Sequence, residues 1–325
     1  MIKALALVSG GLDSLLAARL IKEQGIGVIG LHFRIPFCKK GTQEALSDAG
    51  IELREVSLGD EFLEIVKKPR HGFGSNMNPC IDCKILMLRK AKELMRQWDA
   101  EFIITGEVLG QRPMSQNRQA LDLIERESGL QGLLLRPLCA QLLAETTPEK
   151  EGWIIRDKLL AFNGRGRKPQ VALAEKLKIN NYQQPAGGCL LTDPSFSKRV
   201  KDLIGHKELN VSNVELLKLG RHFRISSGAK LVVGRDEGEN QELFNAAGEN
   251  DYLFFPDECV AGPTALGRGT FNADLIRLSA GIVCGYCDLC DKKEADIIYK
   301  KAGNGPGVSL KIPPMDKSEI IRLRL

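Results

Sequence analysis

The amino-acid sequence predicts an α/β protein: a parallel, doubly wound sheet over residues 1–190, followed by a smaller α+β domain over residues 191–325. Three observations carry this. Apolar runs alternate with amphipathic stretches from residue 2 to about residue 136, the signature of strands whose crossover helices cover both faces of a sheet. A glycine-rich turn, Ser9-Gly10-Gly11, joins the first run to the first amphipathic stretch. After residue 192 short strand-like and helix-like segments alternate, which marks a separate module with a boundary near 190–215.

Taken in order, residues 2–8 read as a buried strand and 13–24 as a helix with Leu15, Leu16, Ala18 and Leu20 available to pack. Residues 27–33 make a second strand, 43–49 a helix and 52–57 a third strand. A long helix over 80–98, a fourth strand over 102–105, a helix over 115–128 and a fifth strand over 133–136, closed by Pro137, complete the pattern. From about 140 to 190 the sequence reads as mostly helical, with loops at 163–168 and 185–189. Later strands are expected at 222–225, 230–233 and 252–255, and helices at 239–247 and 272–280.

With 325 residues, 43% hydrophobic and 27% charged, the chain can fill real cores, which excludes a disordered protein. No apolar run approaches the ~18–20 residues of a membrane span. Met1-Ile2-Lys3 leads into a strand, not a signal-peptide core, so a soluble cytoplasmic protein is expected. The formal charge of +5 resides in residues 1–190, with 27 Lys+Arg against 22 Asp+Glu, while residues 191–325 hold 19 of each. Residues 151–190 alone carry seven basic and three acidic residues, including Arg165, Arg167 and Lys168. Such a run binds a phosphate backbone or simply stays solvated. Nine cysteines in a reducing compartment point to metal, cluster or redox chemistry where they are grouped. Cys38, Cys139 and Cys259 stand alone and are expected as small buried apolar residues.

Ser9-Gly10-Gly11-Leu12-Asp13-Ser14 lies between the first strand and the first helix. Two glycines let the backbone turn its N–H groups onto a phosphate. Ser9 and Ser14 add hydroxyls, the helix N-terminus adds partial positive charge, and Asp13 suits Mg²⁺ or nucleotide orientation. Two decoys fail. Gly25 to Gly30 spells GxGxxG but leads from a helix into a strand, and the glycine-rich stretch 262–270 lacks the Walker lysine.

This loop resembles that of the pyrophosphatase-loop ATP enzymes, with an adenine nucleotide alpha hydrolase-like sheet. Segments 31–37 (LHFRIPF), 105–111 (TGEVLGQ, continuing through Ser115-Gln116) and 135–138 (LRPL) resemble the tRNA 4-thiouridine synthetase family in order. The resemblance covers roughly residues 1–190 and implies ATP, Mg²⁺ and tRNA as ligands, AMP and pyrophosphate as products, and a homodimer. It implies that His32 and Phe33 flank the adenine and that Gly106 and Gln111 line the nucleotide or uracil pocket. Adenylation turns a uracil carbonyl oxygen into a leaving group that a sulfur nucleophile displaces.

Asn78-Pro79-Cys80-Ile81-Asp82-Cys83 puts a Cys-x-x-Cys at a helix start, a place that favours thiolates. It also resembles the tRNA 2-thiouridylases. Cys189, in Pro185-Ala186-Gly187-Gly188-Cys189, falls near the catalytic cysteine of thiouridine synthetases. Two chemistries stay open, besides structural cysteines or a zinc site. Cys80, Cys83 and Cys189 hold a [4Fe–4S] cluster whose fourth iron carries sulfide, as in cluster-dependent tRNA thiolases, or Cys189 carries a persulfide that Cys80 resolves. A sulfur donor, sulfide or a persulfide carrier, is needed either way.

In the last third, 220–225 (GRHFRI) and 230–235 (KLVVGR), followed by Glu239-Asn240, resemble the RNA-binding domain of NFACT proteins. Arg221, Arg224, Lys230 and Arg235 are then candidate phosphate contacts, and the alternative is ordinary hairpin surface charge. Cys284, Cys287 and Cys290 have a metal-site spacing without an obvious fourth ligand, or pack as small core residues. The functional expectation is an ATP-dependent tRNA sulfurtransferase, with 4-thiouridine favoured over 2-thiouridine. The alternatives are an ATP-pyrophosphatase ligase adenylating a small carboxylate or amide, and a non-catalytic RNA-binding protein.

Overall fold

Five parallel strands make the N-terminal sheet: β1 (Lys3–Leu7), β2 (Gly27–Arg34), β3 (Glu52–Ser57), β4 (Phe102–Thr105) and β5 (Leu134–Leu135), in the order β3-β2-β1-β4-β5. The computed structural model describes residues 1–38, 51–182, 189–290, 292–303 and 306–325, in two compact units, Met1–Asp193 and Pro194–Leu325. The helix expected at 43–49 lies outside the described residues.

Alternation along the strands sends successive side chains to opposite faces. Ala4 and Ala6 of β1 and Phe102 and Ile104 of β4 pack under helix α1 (Leu12–Lys22), whose Leu12, Leu15, Leu16 and Ile21 recur at helical spacing and are fully buried. Each such leucine stabilises the fold by roughly 1.5–3 kcal/mol relative to exposure. On the other side lie α2 (Asp60–Lys67), α3 (Cys80–Gln97) and α4 (Arg118–Ser128), with α3 against β1 and β4. The sheet is therefore doubly wound. Its strand order reverses between β1 and β4, the position at which open α/β sheets bind ligands beyond the strand C-termini.

The expected helical stretch after residue 140 is instead largely irregular. It contains short turns, a four-residue helix α5 (Thr147–Lys150) and one longer helix, α6 (Lys168–Lys176), which packs beside α1. Here apolar residues such as Trp153, Leu159 and Phe162 pack on the α1 side of the core.

The C-terminal unit opens with α7 (Pro194–Gly205) and α8 (Val211–Leu216), then β6 (Arg221–Ser226), β7 (Ala229–Val233), α9 (Glu237–Ala246), β8 (Tyr252–Pro256), β9 (Ala265–Gly269), α10 (Ala273–Cys284), β10 (Ala295–Lys301), β11 (Val308–Ile312) and α11 (Lys317–Leu323). The six strands form an antiparallel sheet in the order β11-β10-β8-β9-β7-β6. Phe223, Leu231, Val233 and Phe254 face α10, while Val232 and Leu266 face Leu216 and Leu243. Both faces are covered, so all five residues of β7 are buried. Among the described residues no helix is long and apolar enough to cross a membrane.

Candidate active site

After β1 the chain turns through Ser9, Gly10 and Gly11 into α1. Gly10 has φ +74°, a left-handed conformation that favours glycine, and Gly11 is the N-cap. Ser14 Oγ accepts from Ser9 N at 3.2 Å and donates to Gly11 O at 2.8 Å, which ties the two ends of the loop together. The loop after β4 presses against this turn. A Cβ on Gly106 would lie 2.5 Å from the Asp13 carbonyl and Ser14 N, so only glycine fits. Gln111 Nε2 donates to Asp13 Oδ2 at 3.0 Å, while Asp13 Oδ1 is buried without a partner. An orphaned carboxylate oxygen at a helix N-terminus fits a divalent cation or a ligand donor.

The structure thus brings Ser9, Gly10, Gly11, Asp13, Ser14, Gly106 and Gln111 together. His32, at the end of β2, stands beside them with Nδ1 3.0 Å from Val8 O. Phe33 is different: it is 4% exposed, a core side chain on the opposite face of its strand.

Cys80 opens α3 and Cys83 follows one turn later. Cys189 forms an isolated backbone bridge with Cys38, and Leu190 N donates to Phe37 O at 3.0 Å. Residues 185–188 lie outside the described residues. The expectation of lowered thiol pKa values is overturned. Burial pushes all three thiols up, Cys189 to about 12, and this outweighs the nearby Lys84 and Arg112 charges. Cys83 feels the charges of Cys189, Cys80 and Cys38, and Cys80 and Cys189 feel Arg112, so these groups share one neighbourhood. Among the described residues no three His, Cys, Asp or Glu side chains stand close enough to hold a metal ion.

A buried ion network, not among the expected site residues, links the two halves of this site. Glu107, 2% exposed, receives Arg136 Nε and Thr105 Oγ1 on Oε2, each at 3.1 Å, and Lys84 Nζ stands 3.1 Å from Oε1. Arg136 also donates to Glu125 Oε2 at 2.8 Å and Leu121 O at 3.2 Å. Burial alone would push the Glu107 carboxyl up, but the Lys84 and Arg136 cations overcome it and hold it at about 2. The signal was present: a glutamate and an arginine sit at otherwise apolar strand ends, where an unpaired charge is too costly to bury.

Elsewhere, Arg165 and Lys168 are exposed and Arg167 half-buried at the start of α6. Arg221 donates to Gly234 O at 2.8 Å with its guanidinium 4.8 Å over the Tyr286 ring. Arg224, expected as a phosphate contact, is instead held by Asp202 and Glu208 in four hydrogen bonds. Lys230 is buried and Arg235 pairs with Glu239. Cys139 is buried as expected, but Cys38 and Cys259 are exposed. Cys284 is buried with Sγ donating to Ile312 O at 3.3 Å, Cys287 is half-buried, and Cys290 is exposed.

Residues 2–142 match the family model of the thiamine biosynthesis protein (ThiI). Residues 220–323 match that of the NFACT protein RNA binding domain. A probable tRNA sulfurtransferase of Thermococcus kodakarensis is 29% identical over 145 residues, 42% of this chain and 36% of that protein. The tRNA-specific 2-thiouridylase MnmA of Petrotoga mobilis is 35% identical over 130 residues, 33% of this chain and 35% of that protein. The chain thus spans about a third of the length of these relatives. Among solved structures, a 4-thiouridine synthetase–RNA complex with bound ATP is 18% identical with a TM-score of 0.36, covering 66% of this chain and 53% of that one.

Proposed function

We propose that the protein is an ATP-dependent tRNA sulfurtransferase. In this reading residues 1–190 form the ATP-binding thiolation domain and residues 191–325 the RNA-binding domain, and 4-thiouridine is the favoured product. The observation that carries it is the Lys84–Glu107 ion pair at 3.1 Å. Glu107 follows Gly106, which touches the Asp13 turn, and Lys84 follows Cys83, so one buried contact fixes the nucleotide loop relative to the thiols. Both reacting groups must be held in register for a two-step substitution.

ATP lies with its phosphates on Ser9, Gly10, Gly11 and Ser14 and its adenine beside His32. Asp13 Oδ1 would hold Mg²⁺, which would screen the phosphate charge, and Gln111 orients Asp13 and the uracil edge. The uridine carbonyl oxygen attacks the α-phosphorus, the α–β bridging bond breaks, pyrophosphate leaves and N3 gives up its proton. A sulfur nucleophile then forms the C–S bond as the C–O bond to AMP breaks. Arg165, Arg167, Lys168 and Arg221 contact the RNA backbone.

Buried thiols that burial keeps protonated are a donor set that a cationic group would stabilise as thiolates. Cys80, Cys83 and Cys189 would hold a [4Fe–4S] cluster, which supplies an iron able to carry sulfide. Their present spacing is not that of ligands, so the steps above do not pass through it. Cys189 lies within electrostatic reach of Cys80, which also favours a second reading. A Cys189 persulfide attacks the adenylated carbon and AMP leaves. Cys80 then attacks Cys189 Sγ, its thiol proton passing to the departing thiouridine, which is released and leaves a disulfide for an external thiol reductant.

The test is nucleoside mass spectrometry of unmodified tRNA incubated anaerobically with protein, ATP, Mg²⁺ and sulfide, before and after iron reconstitution. 4-Thiouridine is expected, and Cys189→Ala should abolish it while ATP binding survives. No thio-nucleoside from protein that binds ATP and iron would overturn the assignment and favour a small-acid adenylating ligase. Thiolation by the iron-free protein with a persulfide donor would select the relay.

A further inference from the structure

The C-terminal unit encloses a cavity of about 140 Å³ between α7, α8 and the face of β6, β7 and β9. Leu203, Leu216 and Leu217 make apolar walls. On the sheet side, register places Arg224, Lys230 and Arg268 directly opposite one another on three adjacent strands. Three cations in one row repel unless neutralised. Arg224 is neutralised by Asp202 and Glu208, and Arg268 meets Asp251 at 2.7 Å and Asn213 at 2.8 Å. Lys230 is less well served. Its Nζ lies 3.5 Å from Asp202 Oδ2, an oxygen that Arg224 already occupies at 2.6 Å. An ammonium has three N–H donors, so some are left over beside the cavity.

His222, 1% exposed, lines the same cavity. Its Nε2 is 2.7 Å from Leu219 O and therefore carries the proton, which makes Nδ1 an acceptor, and Nδ1 is buried with no partner. Burial, aided by the charges of Lys230, Arg199 and Arg235, keeps the ring neutral, so Nδ1 remains an acceptor. A buried acceptor left unmet costs roughly 1–3 kcal/mol. Glu208 and Asn213 also line the space but are taken up by Arg224 and Arg268, so its open polar groups are one bare acceptor and one spare donor, a pair that suits a flat, polar-edged molecule. An apolar cavity of about 150 Å³ takes one benzene ring, so the space suits one six-membered ring.

We propose that this cavity binds a single pyrimidine base extruded from RNA, its ring faces against the leucines, an N–H donating to His222 Nδ1 and a neighbouring acceptor receiving a hydrogen bond from the Lys230 ammonium. Uracil supplies N3–H flanked by carbonyls, cytosine its amine beside N3, and a purine's second ring exceeds the space. Enzymes that read extruded bases use apolar faces and edge hydrogen bonds in this way. The proposal rests on the reading of this unit as an RNA-binding domain.

The test uses full-length protein labelled with ¹⁵N-histidine, titrated with uridine, cytidine, adenosine and a uridine-rich single-stranded oligonucleotide. Uridine and cytidine should shift the His222 Nδ1 signal and adenosine should not, with the oligonucleotide acting at lower concentration. Leu217→Phe, which fills the cavity, and Lys230→Met should each lose that shift. Each should weaken oligonucleotide binding about tenfold, the loss of one buried contact of about 1.4 kcal/mol. Oligonucleotide binding with a motionless His222 signal would overturn the pocket and leave the RNA reading intact. Pyrimidine nucleosides that shift His222 while the oligonucleotide fails to bind would support the pocket and overturn the RNA reading. Equal shifts with adenosine would overturn the assignment to a pyrimidine.

Discussion

The N-terminal unit buries Glu107 among Arg136, Thr105 and Lys84, and the C-terminal unit buries Lys230 beside a carboxylate oxygen that Arg224 already uses. The two networks are alike in composition and opposite in state. The first stabilises the charged form of its central group, which sits at about 2. In the second, burial outweighs Asp202 and brings Lys230 down to about 8. A buried network whose charges are met acts as a rigid brace, here between the glycine-rich loop after β1 and the helix that carries Cys80 and Cys83. One with unmet donors and acceptors beside a cavity is the place to look for a ligand.

The sharpest way to break this comparison is Glu107→Gln. It leaves Arg136 and Lys84 buried against a neutral group, and losing one partner of a buried pair costs about 3–5 kcal/mol. Urea unfolding of the full chain should lose that amount from the N-terminal transition. The pH dependence has a definite sign. Glu107 is held below its ordinary value of 4.5, so its contribution is fully present above that pH and falls away as pH drops towards 2. The variant should lack this part of the acid sensitivity. Equal stability of variant and wild type would show that the network braces nothing.

Asp202→Asn should cost less, about 1.5–3 kcal/mol, because Glu208 still receives two bonds from Arg224. It should also strengthen the need of Lys230 for a partner, and so sharpen the contrast. A destabilisation as large as that of Glu107→Gln would mean that the second network is as closed as the first.

Much of this was legible in the sequence. The parallel sheet followed from alternating apolar runs, and the tight turn at Gly10 and Gly11 followed from residue types that permit few other conformations. What escaped depends on partners distant in the chain. Glu107 and Arg136 read as single charges in apolar surroundings, and only folding puts them 3.1 Å apart. The stretch 262–270 reads as a failed phosphate loop, yet Ala265–Gly269 is the strand between β7 and β8. Two glycines and an alanine in five residues are poor strand formers, and the ladders on either side override that preference. Arg268 on that strand completes the row of cations, so the cavity was invisible until β9 was placed. Arg224 looked like a phosphate contact because a sequence does not reveal that Asp202 and Glu208 already hold it.

The smallest effect is a slope, and it separates the two networks most directly. The folded pKa of Lys230, about 8, lies below its ordinary 10.5, so between those values the unfolded chain binds more protons than the folded one. Stability should therefore rise with pH across that window, by at most about 1.4 kcal/mol per pH unit for one proton, and the penalty should be complete below pH 8. Lys230→Met should flatten the slope, as measured by urea unfolding of the C-terminal transition at pH 8 and 9.5. A bound pyrimidine that accepts from the ammonium gives the charged form the partner it lacks, raises its pKa and flattens the slope in the wild type as well. A slope that persists unchanged with saturating uridine would place the base away from Lys230, and Glu107 offers the control because its carboxylate is already charged throughout this range.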